Sequence, residues 1–348
     1  MPKKVLLATG GYDHTVRFWE AASGICYRTL QFAESHINRL TFSPDRECLA
    51  VGGSQRIVLF DAVGNSPNPV VAFEGHRGNV MSVGYESFGS WLYSGSEDGT
   101  VRTWDLRSGK QAHVFHNRAP VTAAVLHANQ REIISCDAAG NIRTWDLLAN
   151  RLNRELKPQG DVSICSAALS SDGALLAVCN HHGNCFVWGV GDKALAATAA
   201  DVSGDDAQEG GAPQTASDGA LEHAAASEPE QAPLDFQPLT TWQPHSRYVL
   251  RAVFSPNHKL LATALDSGFI RLWNVSREGG EPWQQNRVLG RHQRWVWDLV
   301  FSDNSEFLFS CSSDKRACLW ELSSGSVIRT YDAHKLAITA VALSVTSV

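Results

Sequence analysis

Side chains of the types that carry nucleophilic catalysis recur along this chain in the stretches that precede certain tryptophans. Examples are His76, Ser94, Asp98, His292, Ser310 and Asp314. In a hydrolase, a His base takes the proton of a Ser hydroxyl while an Asp orients the His. The same residue types also form buried hydrogen-bond networks, because polar groups inside a protein need partners. The elements that position these side chains decide between the two roles.

A second group of side chains, Cys179-x-His181-His182-x-x-Cys185, could in principle hold a metal ion. Zinc sites prefer two ligand pairs that are separated along the chain, whereas these residues bracket a single turn at 180–184. We interpret the segment as a hairpin turn and expect no metal. The segment 189–194 matches a dinucleotide fingerprint in letters only, since no helix pattern follows it. No cofactor is expected.

Seven runs of the same form give the chain its repeat: a turn, then alternating β-formers, then an aromatic residue. They are DHTVRFW (13–19), SQRIVLF (54–60), DGTVRTW (98–104), AGNIRTW (139–145), HGNCFVW (182–188), SGFIRLW (267–273) and DKRACLW (314–320). The closing residues are 41, 44, 41, 43, 85 and 47 positions apart, and the 85 is one period plus an insertion. This period, with closers that read Trp-Asp at 104–105 and 145–146, resembles the blades of WD-type β-propellers.

The repeat therefore predicts an all-β fold, a seven-bladed WD40 β-propeller that uses residues 1–348 as a single unit. Each repeat supplies four strands, and the innermost ones are rich in Val, Ile, Leu and Phe. The chain begins at a second strand (Val5–Thr9) and ends on an innermost strand (Ile338–Leu343). We expect these N- and C-terminal strands to pair, because the ring would otherwise keep an open edge.

One low-complexity segment, 191–236, interrupts the repeat. It is acidic and rich in Ala, Gly and Pro, with few β-branched or aromatic residues, so it is expected to be a disordered insertion. Nine acidic residues and no Lys or Arg lie between Ala194 and Ser246. Removing these nine charges changes the net charge from −6 to about +3, which argues against a nucleic-acid-binding protein.

No export signal and no membrane-spanning run is evident in the sequence. The apolar part of the N-terminus, Val5–Ala8, is shorter than a signal-peptide core, and no apolar run approaches about 20 residues. The eight cysteines are scattered singly, as reduced thiols commonly are. We expect a cytoplasmic protein.

The resemblance to WD proteins implies a role for the His and Asp residues. In such blades a loop His, a strand Ser or Thr, a turn Asp and the closing Trp are joined by hydrogen bonds. Three complete sets are implied here: His76, Ser94, Asp98 and Trp104; His292, Ser310, Asp314 and Trp320; and His334, Thr9, Asp13 and Trp19. We interpret them as structural tetrads, and the last should help to hold the two termini together. No catalytic residue is expected.

Aromatic residues at the start of two innermost strands are the candidate functional site. Trp295 and Trp297 open one strand, and Tyr248 opens the one before it. Residues His36 and Asn38 open the first innermost strand, so all five should lie on one face of the ring. Exposed aromatic residues are common anchors of protein interfaces. The alternative is that the tryptophans fill the channel between the blades.

Several stretches resemble one family of WD proteins, the small G-protein-β-like (Lst-eight) subunit of target-of-rapamycin (TOR) kinase complexes. They are GGYDHTVRFWEAASGICYRT (10–29), NSPNPV (65–70), WDLRS (104–108), VSI (162–164), GNCFVW (183–188), FSPNHKLLAT (254–263) and RWVWDLVFS (294–302). The resemblance covers all seven repeats and fails only across 191–236, where the family has a shorter connection.

The resemblance implies a non-enzymatic subunit that binds the C-lobe of the TOR serine/threonine kinase domain, stabilises it and supports signalling in growth control. It places the kinase contacts at Asn38, Tyr248, Trp295 and Trp297, with His36 standing where the family has an amide. The alternative is a substrate receptor of a cullin-based ubiquitin ligase, because Trp104-Asp105-Leu106-Arg107 fits the Trp-Asp-x-Arg pattern of those receptors. A propeller enzyme would need ionisable residues that converge in the channel, where the sequence offers Trp, Asn and Tyr.

Overall fold

The computed structural model describes residues 4–32, 35–191 and 234–346, and every regular element in these ranges is a β-strand. The strands form seven antiparallel units of four, which we call blades 1 to 7. Within blades 2 to 7, the chain runs from the innermost strand to the second, third and outer strands, whereas the innermost strand of blade 1 is the last strand of the chain. The predicted seven-bladed, all-β WD fold is confirmed.

The strands are numbered along the chain. Blade 1 contains β1 (Lys4–Gly11), β2 (Thr15–Glu20), β3 (Cys26–Gln31) and the last strand, β27 (Ile338–Thr346). Blades 2 and 3 contain β4 (Arg39–Phe42), β5 (Cys48–Gly52), β6 (Ser54–Asp61), β7 (Val71–Tyr85), β8 (Trp91–Ser96), β9 (Thr100–Asp105) and β10 (Lys110–His116). Blades 4 and 5 contain β11 (Val121–Leu126), β12 (Glu132–Asp137), β13 (Ile142–Asp146), β14 (Arg151–Leu156), β15 (Ile164–Leu169), β16 (Leu175–Asn180), β17 (Cys185–Gly191) and β18 (Asp235–Trp242). Blades 6 and 7 contain β19 (Val249–Phe254), β20 (Leu260–Leu265), β21 (Phe269–Asn274), β22 (Gln285–Gly290), β23 (Val296–Phe301), β24 (Phe307–Ser312), β25 (Ala317–Glu321) and β26 (Ser326–Tyr331).

Strand β7 belongs to two blades. Its first part, from Val71 to Glu74, pairs with β6 as the outer strand of blade 2. Its last part, from Val80 to Tyr85, pairs with β8 as the innermost strand of blade 3. The backbone turns between them at Gly75, whose φ of 145° favours glycine. The seven blades therefore form six sheets, because blades 2 and 3 share one continuous strand.

The innermost strands form a closed ring. Each contacts the innermost strand of the blade on either side, in the order β4, β7, β11, β15, β19, β23, β27 and back to β4. The ring closes in blade 1, where β1 pairs antiparallel with β27 from Lys4 opposite Thr346 to Gly11 opposite Ile338. The predicted pairing of the terminal strands is confirmed.

The ends of the predicted insertion at 191–236 are ordered strand residues. Gly191 pairs with Asp235 across β17 and β18, and Leu234 and Phe236 are buried among the apolar residues of blades 4 and 5. The boundaries drawn from composition were therefore too wide, because burial of two isolated apolar residues does not show in the average of a polar segment. The predicted disorder of the rest concerns 192–233, which lies outside the described residues.

Candidate protein interface on one face of the ring

All innermost strands begin on the same face of the ring, which we call the upper face, and end on the lower face. Because each blade is an antiparallel meander, the connections from outer to innermost strands and from second to third strands also lie on the upper face. The five predicted interface residues lie in or next to such connections. Gly191 and Asp235, between which the insertion runs, lie at the lower face.

Trp295 and Trp297 form the most prominent feature of the upper face. Their ring centroids are 5.3 Å apart and their planes make an angle of 50°. Trp295 keeps 42% of its surface exposed, whereas Trp297 is half-buried and packs against the core between blades 7 and 1. The Trp297 Nε1–H donates to the Ser313 hydroxyl at 2.6 Å, and the Ser313 N–H donates to the Trp295 carbonyl at 2.9 Å. The pair is thus held rigidly, with one ring presented to solvent.

A β-bulge, and not simple strand alternation, orients Trp297. Val296 pairs with Ser312 and Asp298 with Cys311, so Trp297 is the extra residue of the bulge. Five other innermost strands carry a bulge at the same place, at Met81, Thr122, Cys165, Leu250 and Thr339. Bulges re-aim side chains at the rims of closed sheets. Since Trp295 precedes the strand, the bulge and not the alternation of side chains along β23 sets the directions of the two tryptophans.

The other predicted interface residues form two aromatic pairs. Tyr248, 42% exposed, contacts His181 edge-on, with 4.9 Å between the ring centroids. The ring of His36 stacks on Tyr12 at 5.1 Å with an angle of 18°. In both pairs a second-to-third turn of one blade touches the start of the next blade's innermost strand. Sequence reasoning missed Tyr12 and His181, which contact the predicted residues across a blade boundary.

Asn38 lies at the start of the innermost strand of blade 2, where its N–H donates to the Gly52 carbonyl at 2.9 Å. Its Nδ2 is buried and has no hydrogen-bond partner among the residues that the structure describes. The structure thus places all five predicted residues on the upper face, and it brings Trp295 and Trp297 into direct contact.

A buried ion cluster lies beneath the tryptophans, where the sequence predicted no converging charges. Arg39 Nη1 donates to Asp298 Oδ1 at 2.8 Å, and Arg251 Nε lies 3.1 Å from the same oxygen without the alignment of a hydrogen bond. The N–H groups of Val341 and Leu299 also donate to the Asp298 carboxylate. Burial raises the pKa of this carboxyl, while the Arg39 guanidinium acts in the opposite direction.

The prediction that this region lacks ionisable groups was wrong, because the three charges come from blades 2, 6 and 7 and only the ring brings them together. The cluster has no exposed nucleophile or base, since the side chain of Asp298 is 2% exposed and its oxygens are already engaged. Its geometry supports a structural role, in which one carboxylate joins four innermost strands.

The three tetrads each consist of the same hydrogen bonds. In blade 3, His76 Nε2 lies 2.7 Å from the Ser94 hydroxyl, His76 Nδ1 lies 2.8 Å from Asp98 Oδ2, and Trp104 Nε1–H donates to Ser94 at 2.8 Å. The corresponding bonds join His292, Ser310, Asp314 and Trp320. They also join His334, Thr9, Asp13 and Trp19 across the two termini. Each hydroxyl lies in the interior and is shared by the Trp and the His.

The carboxylate of each tetrad also organises the neighbouring turns. Burial opposes ionisation of Asp98, but hydrogen bonds from Thr100, the Arg77 N–H and His76 outweigh it and lower the pKa of Asp98 to about 2. Burial lowers the pKa of His76, although Asp98 counteracts this effect. A neutral His that is fixed between a hydroxyl and a carboxylate is a stable bridge between loop and strand.

Blade 6 lacks the tetrad carboxylate because Ser267 stands in its place. His245 Nε2 still bonds the Thr263 hydroxyl at 3.1 Å, and Trp273 donates to Thr263 at 3.0 Å. His245 Nδ1, however, is buried without a hydrogen-bond partner among the described residues. Burial and the nearby Arg271 lower the pKa of His245 to about 3.

We therefore expect Ser267→Asp to stabilise the protein by about 1 kcal/mol at pH 7, since it supplies the missing partner of His245. In the wild type, His245 stays neutral when folded, so stability falls as the pH drops from about 6.5 towards 3 while the unfolded chain takes up the proton. A carboxylate beside the ring raises the pKa of His245 and flattens this dependence. Urea unfolding at pH 7 and pH 5 measures both effects. Ser267→Asn is the uncharged control, and equal stability of all three proteins would contradict the expectation.

Two blades replace the tetrad by other contacts. In blade 4, Asn117 takes the His position and accepts from Ser135 at 3.2 Å, while Trp145 donates to Ser135 at 2.8 Å. In blade 2 the corresponding positions are the buried Phe32, Ala50 and Phe60. Apolar replacement of all partners leaves no unsatisfied group. The hydroxyl position lies ten residues before the closer and the His position eighteen residues before the hydroxyl, and these intervals would have found both sets in the sequence.

The side chains of the Cys-His-His-Cys segment do not converge. Cys179 and Cys185 are buried opposite one another, with their Sγ atoms 2.8 Å apart, whereas His181 and His182 lie on the exposed turn. Burial raises the pKa of the Cys179 thiol well above its ordinary value, which disfavours the thiolate that metals bind. Among the described residues, no group of three or more His, Cys, Asp and Glu side chains is arranged to hold a metal ion.

Comparison with known proteins agrees with the repeat architecture. The family model "WD domain, G-beta repeat" matches residues 2–20, 24–61, 67–105, 236–274 and 283–321. The chain is 40% identical over 340 residues to "Target of rapamycin complex subunit wat1" of Schizosaccharomyces pombe, covering 98% of this chain and 96% of that protein. It is 38% identical to "Target of rapamycin complex subunit LST8" of Saccharomyces cerevisiae (98% and 99% covered) and 35% identical to that of Bos taurus (98% and 95%).

The chain belongs to the LST8 family of WD-repeat proteins.

Within this LST8-family chain, the WD family model leaves 106–235 unmatched, yet the structure forms the complete blades 4 and 5 from that part of the sequence and β18. Blade 4 has no tetrad His, and Val178 occupies the Ser position in blade 5. These blades follow the same strand order with different side chains. None of the described segments is a helix that could cross a bilayer.

Proposed function

We propose that this LST8-family protein is a non-catalytic subunit of a TOR kinase complex, in which its upper face binds the C-lobe of the kinase domain. The names of its relatives over nearly the full chain support a place in such a complex. The site itself rests on one observation, a rigid tryptophan pair with Trp295 exposed at the rim of the ring. Trp295, Trp297, Tyr248, Asn38 and His36 are the proposed contacts.

The proposed mechanism is stabilisation of one kinase conformation. A closed ring of blades is stiff, and the hydrogen bonds of Ser313 fix the Trp pair before any partner arrives. A preorganised surface loses little side-chain entropy on binding. If it binds the active arrangement of the kinase more tightly than others, it shifts the population towards that arrangement by the difference in affinity.

A scaffold role fits the chemistry of the described residues. The His, Ser and Asp side chains that could form a hydrolase site are used in the tetrads, with their hydroxyls shared by Trp and His. We place the protein in the cytoplasm, and its association with membranes would come through the complex. The alternative role in a cullin-based ubiquitin ligase receives no support from the relatives named above, although Arg107 is exposed on a lower-face turn.

Co-purification from the protein's own cells tests the proposal. We expect a TOR kinase to co-purify with the tagged wild-type protein. Trp295→Ala should weaken the binding of the kinase by about 2 kcal/mol or more, which is roughly 30-fold in affinity. Trp295 is a cleaner probe than Trp297, which also packs against the core. Leu148→Ala is the matched control, since Leu148 is 69% exposed on the lower face. Absence of a TOR kinase from the wild-type sample would overturn the proposal.

A further inference from the structure

Exposed cations surround the aromatic residues on one half of the upper face. The upper-face connections of blades 5 to 7 nearest to Tyr248 and Trp295 carry six exposed basic side chains: Arg247, Arg291, Arg294, Lys315, Arg316 and Lys335. No ion pair joins any of these six to a carboxylate within 4–32, 35–191 and 234–346. Of the acidic residues on the same connections, Asp13 and Asp314 belong to tetrads, Asp266 is half-buried and Asp332 is exposed, so the six cations outnumber the exposed carboxylates.

The opposite half of the upper face does not share this excess. There, Arg77, Arg118 and Lys157 are exposed together with Glu74, Glu97 and Asp161. Lys157 is paired with Asp161. Since the chain as a whole has a net charge of −6, the local excess of cations is not a consequence of overall composition.

Hydrogen bonds connect the cationic loops to the tryptophans. The turn that bears Lys315 and Arg316 begins at Ser313, which is bonded to both Trp295 and Trp297. The Ser312 hydroxyl donates to the Arg294 carbonyl at 3.2 Å, and the Lys335 N–H donates to Asp13 beside Tyr12. The cations and the aromatic pair are therefore parts of one surface. We call the six cations of this surface the basic rim.

We propose that the basic rim selects an acidic partner segment, one that places an apolar side chain against Trp295 and carboxylates beside Arg247 and Arg294. This inference rests on the proposed function and specifies the kinase element that docks: an apolar anchor flanked by Asp or Glu. Complementary charges at the edge of an interface raise the association rate and exclude like-charged partners. The apolar contact with Trp295 then slows the dissociation of the bound segment.

A nucleic acid would also be attracted by cations, but the aromatic rings favour a protein. Trp297 is bound to Ser313 and half-buried, and Tyr248 is covered on one side by His181. Binding of single strands needs successive open aromatic faces on which bases stack. The exposed rings Tyr248 and Trp295 lie on the connections of different blades, and such separate rings beside separate cations fit an apolar side chain within an acidic segment.

The test measures binding of the purified kinase domain to the full-length protein in 50 mM and 300 mM salt. The double variant Arg247→Glu/Arg294→Glu should lower the association rate at 50 mM salt by about tenfold or more and remove most of its salt dependence. Arg77→Glu/Arg118→Glu, on the opposite half of the same face, is the control with equal charge change. It should bind as the wild type does. Circular dichroism and urea unfolding confirm that both variants fold.

The possible results separate the inference from the proposed function. If Trp295→Ala loses binding while the Arg247/Arg294 variant binds with unchanged rate and salt dependence, the basic rim is overturned and the kinase site stands. If the wild type does not bind the kinase domain, both the basic rim and the proposed function are overturned. We also measure binding of a labelled poly-dT strand. If it binds at submicromolar concentration and Trp295→Ala abolishes this binding, the proposal of an acidic protein segment is overturned in favour of a nucleic acid.

Discussion

Replacing Asp298 by alanine is expected to lower the free energy of unfolding by about 3–5 kcal/mol, the cost typical of removing one partner from a buried ion cluster. The Asp298 carboxylate is bonded to Arg39, lies beside Arg251 and accepts the N–H of Val341 from the closing strand. Without it, two guanidinium groups, about one-fifth exposed, face each other with no counter-charge. Urea unfolding followed by circular dichroism measures the loss.

Two controls separate charge from general damage. Asp303→Ala removes an exposed carboxylate that only approaches Arg46 at 3.7 Å, so it should change stability by less than about 0.5 kcal/mol. The triple change Asp298→Ala, Arg39→Met and Arg251→Met should recover much of the stability, because it also removes the unpaired cations. If Asp298→Ala were no worse than Asp303→Ala, the cluster would have no structural role.

Ending the chain at Ala337 is expected to destroy the cooperative fold. This truncation removes β27, which is the innermost strand of blade 1, and exposes the edge of β1 along its length. It also removes the apolar contacts of Ile338 and Ala340 with the blades on either side. An open edge next to an unfilled blade promotes aggregation. Size-exclusion chromatography and thermal unfolding should show aggregates without a sharp transition.

A circular permutant is the matched control for the truncation. Joining residue 348 to residue 1 through a short Gly-rich linker, with new termini between 192 and 233, retains the pairing of β27 with β1. Circular permutation is best tolerated in segments rich in small and polar residues, and 192–233 has that composition. The permutant should unfold cooperatively near the wild-type temperature. A cooperative, monomeric truncation would show that ring closure contributes little.

The sequence predicted those features that depend on short intervals. The closing aromatic residues mark the third strand of each blade, and an offset of one strand between the two ends was enough to predict the pairing of β1 with β27. The tetrad residues lie at constant intervals before the closers, and the structure joins them.

Features that depend on several blades could not be found in this way. Arg39, Arg251 and Asp298 are far apart in sequence and meet only because seven blades close into a ring. The bulge at Trp297 depends on the register between β23 and β24, which residue types do not specify. The basic rim is invisible in the net charge, because the acidic residues between Ala194 and Ser246 outweigh it in the total.

The most direct test of the central claim is a cryo-electron microscopy map of the complex that co-purifies with the tagged protein. We predict that the upper face is covered by the kinase domain, with Trp295 in contact with an apolar side chain of the C-lobe. The lower face, where Gly191 and Asp235 lie, should be turned away from that contact. A map in which the kinase domain contacts the lower face and Trp295 remains exposed to solvent would contradict the account.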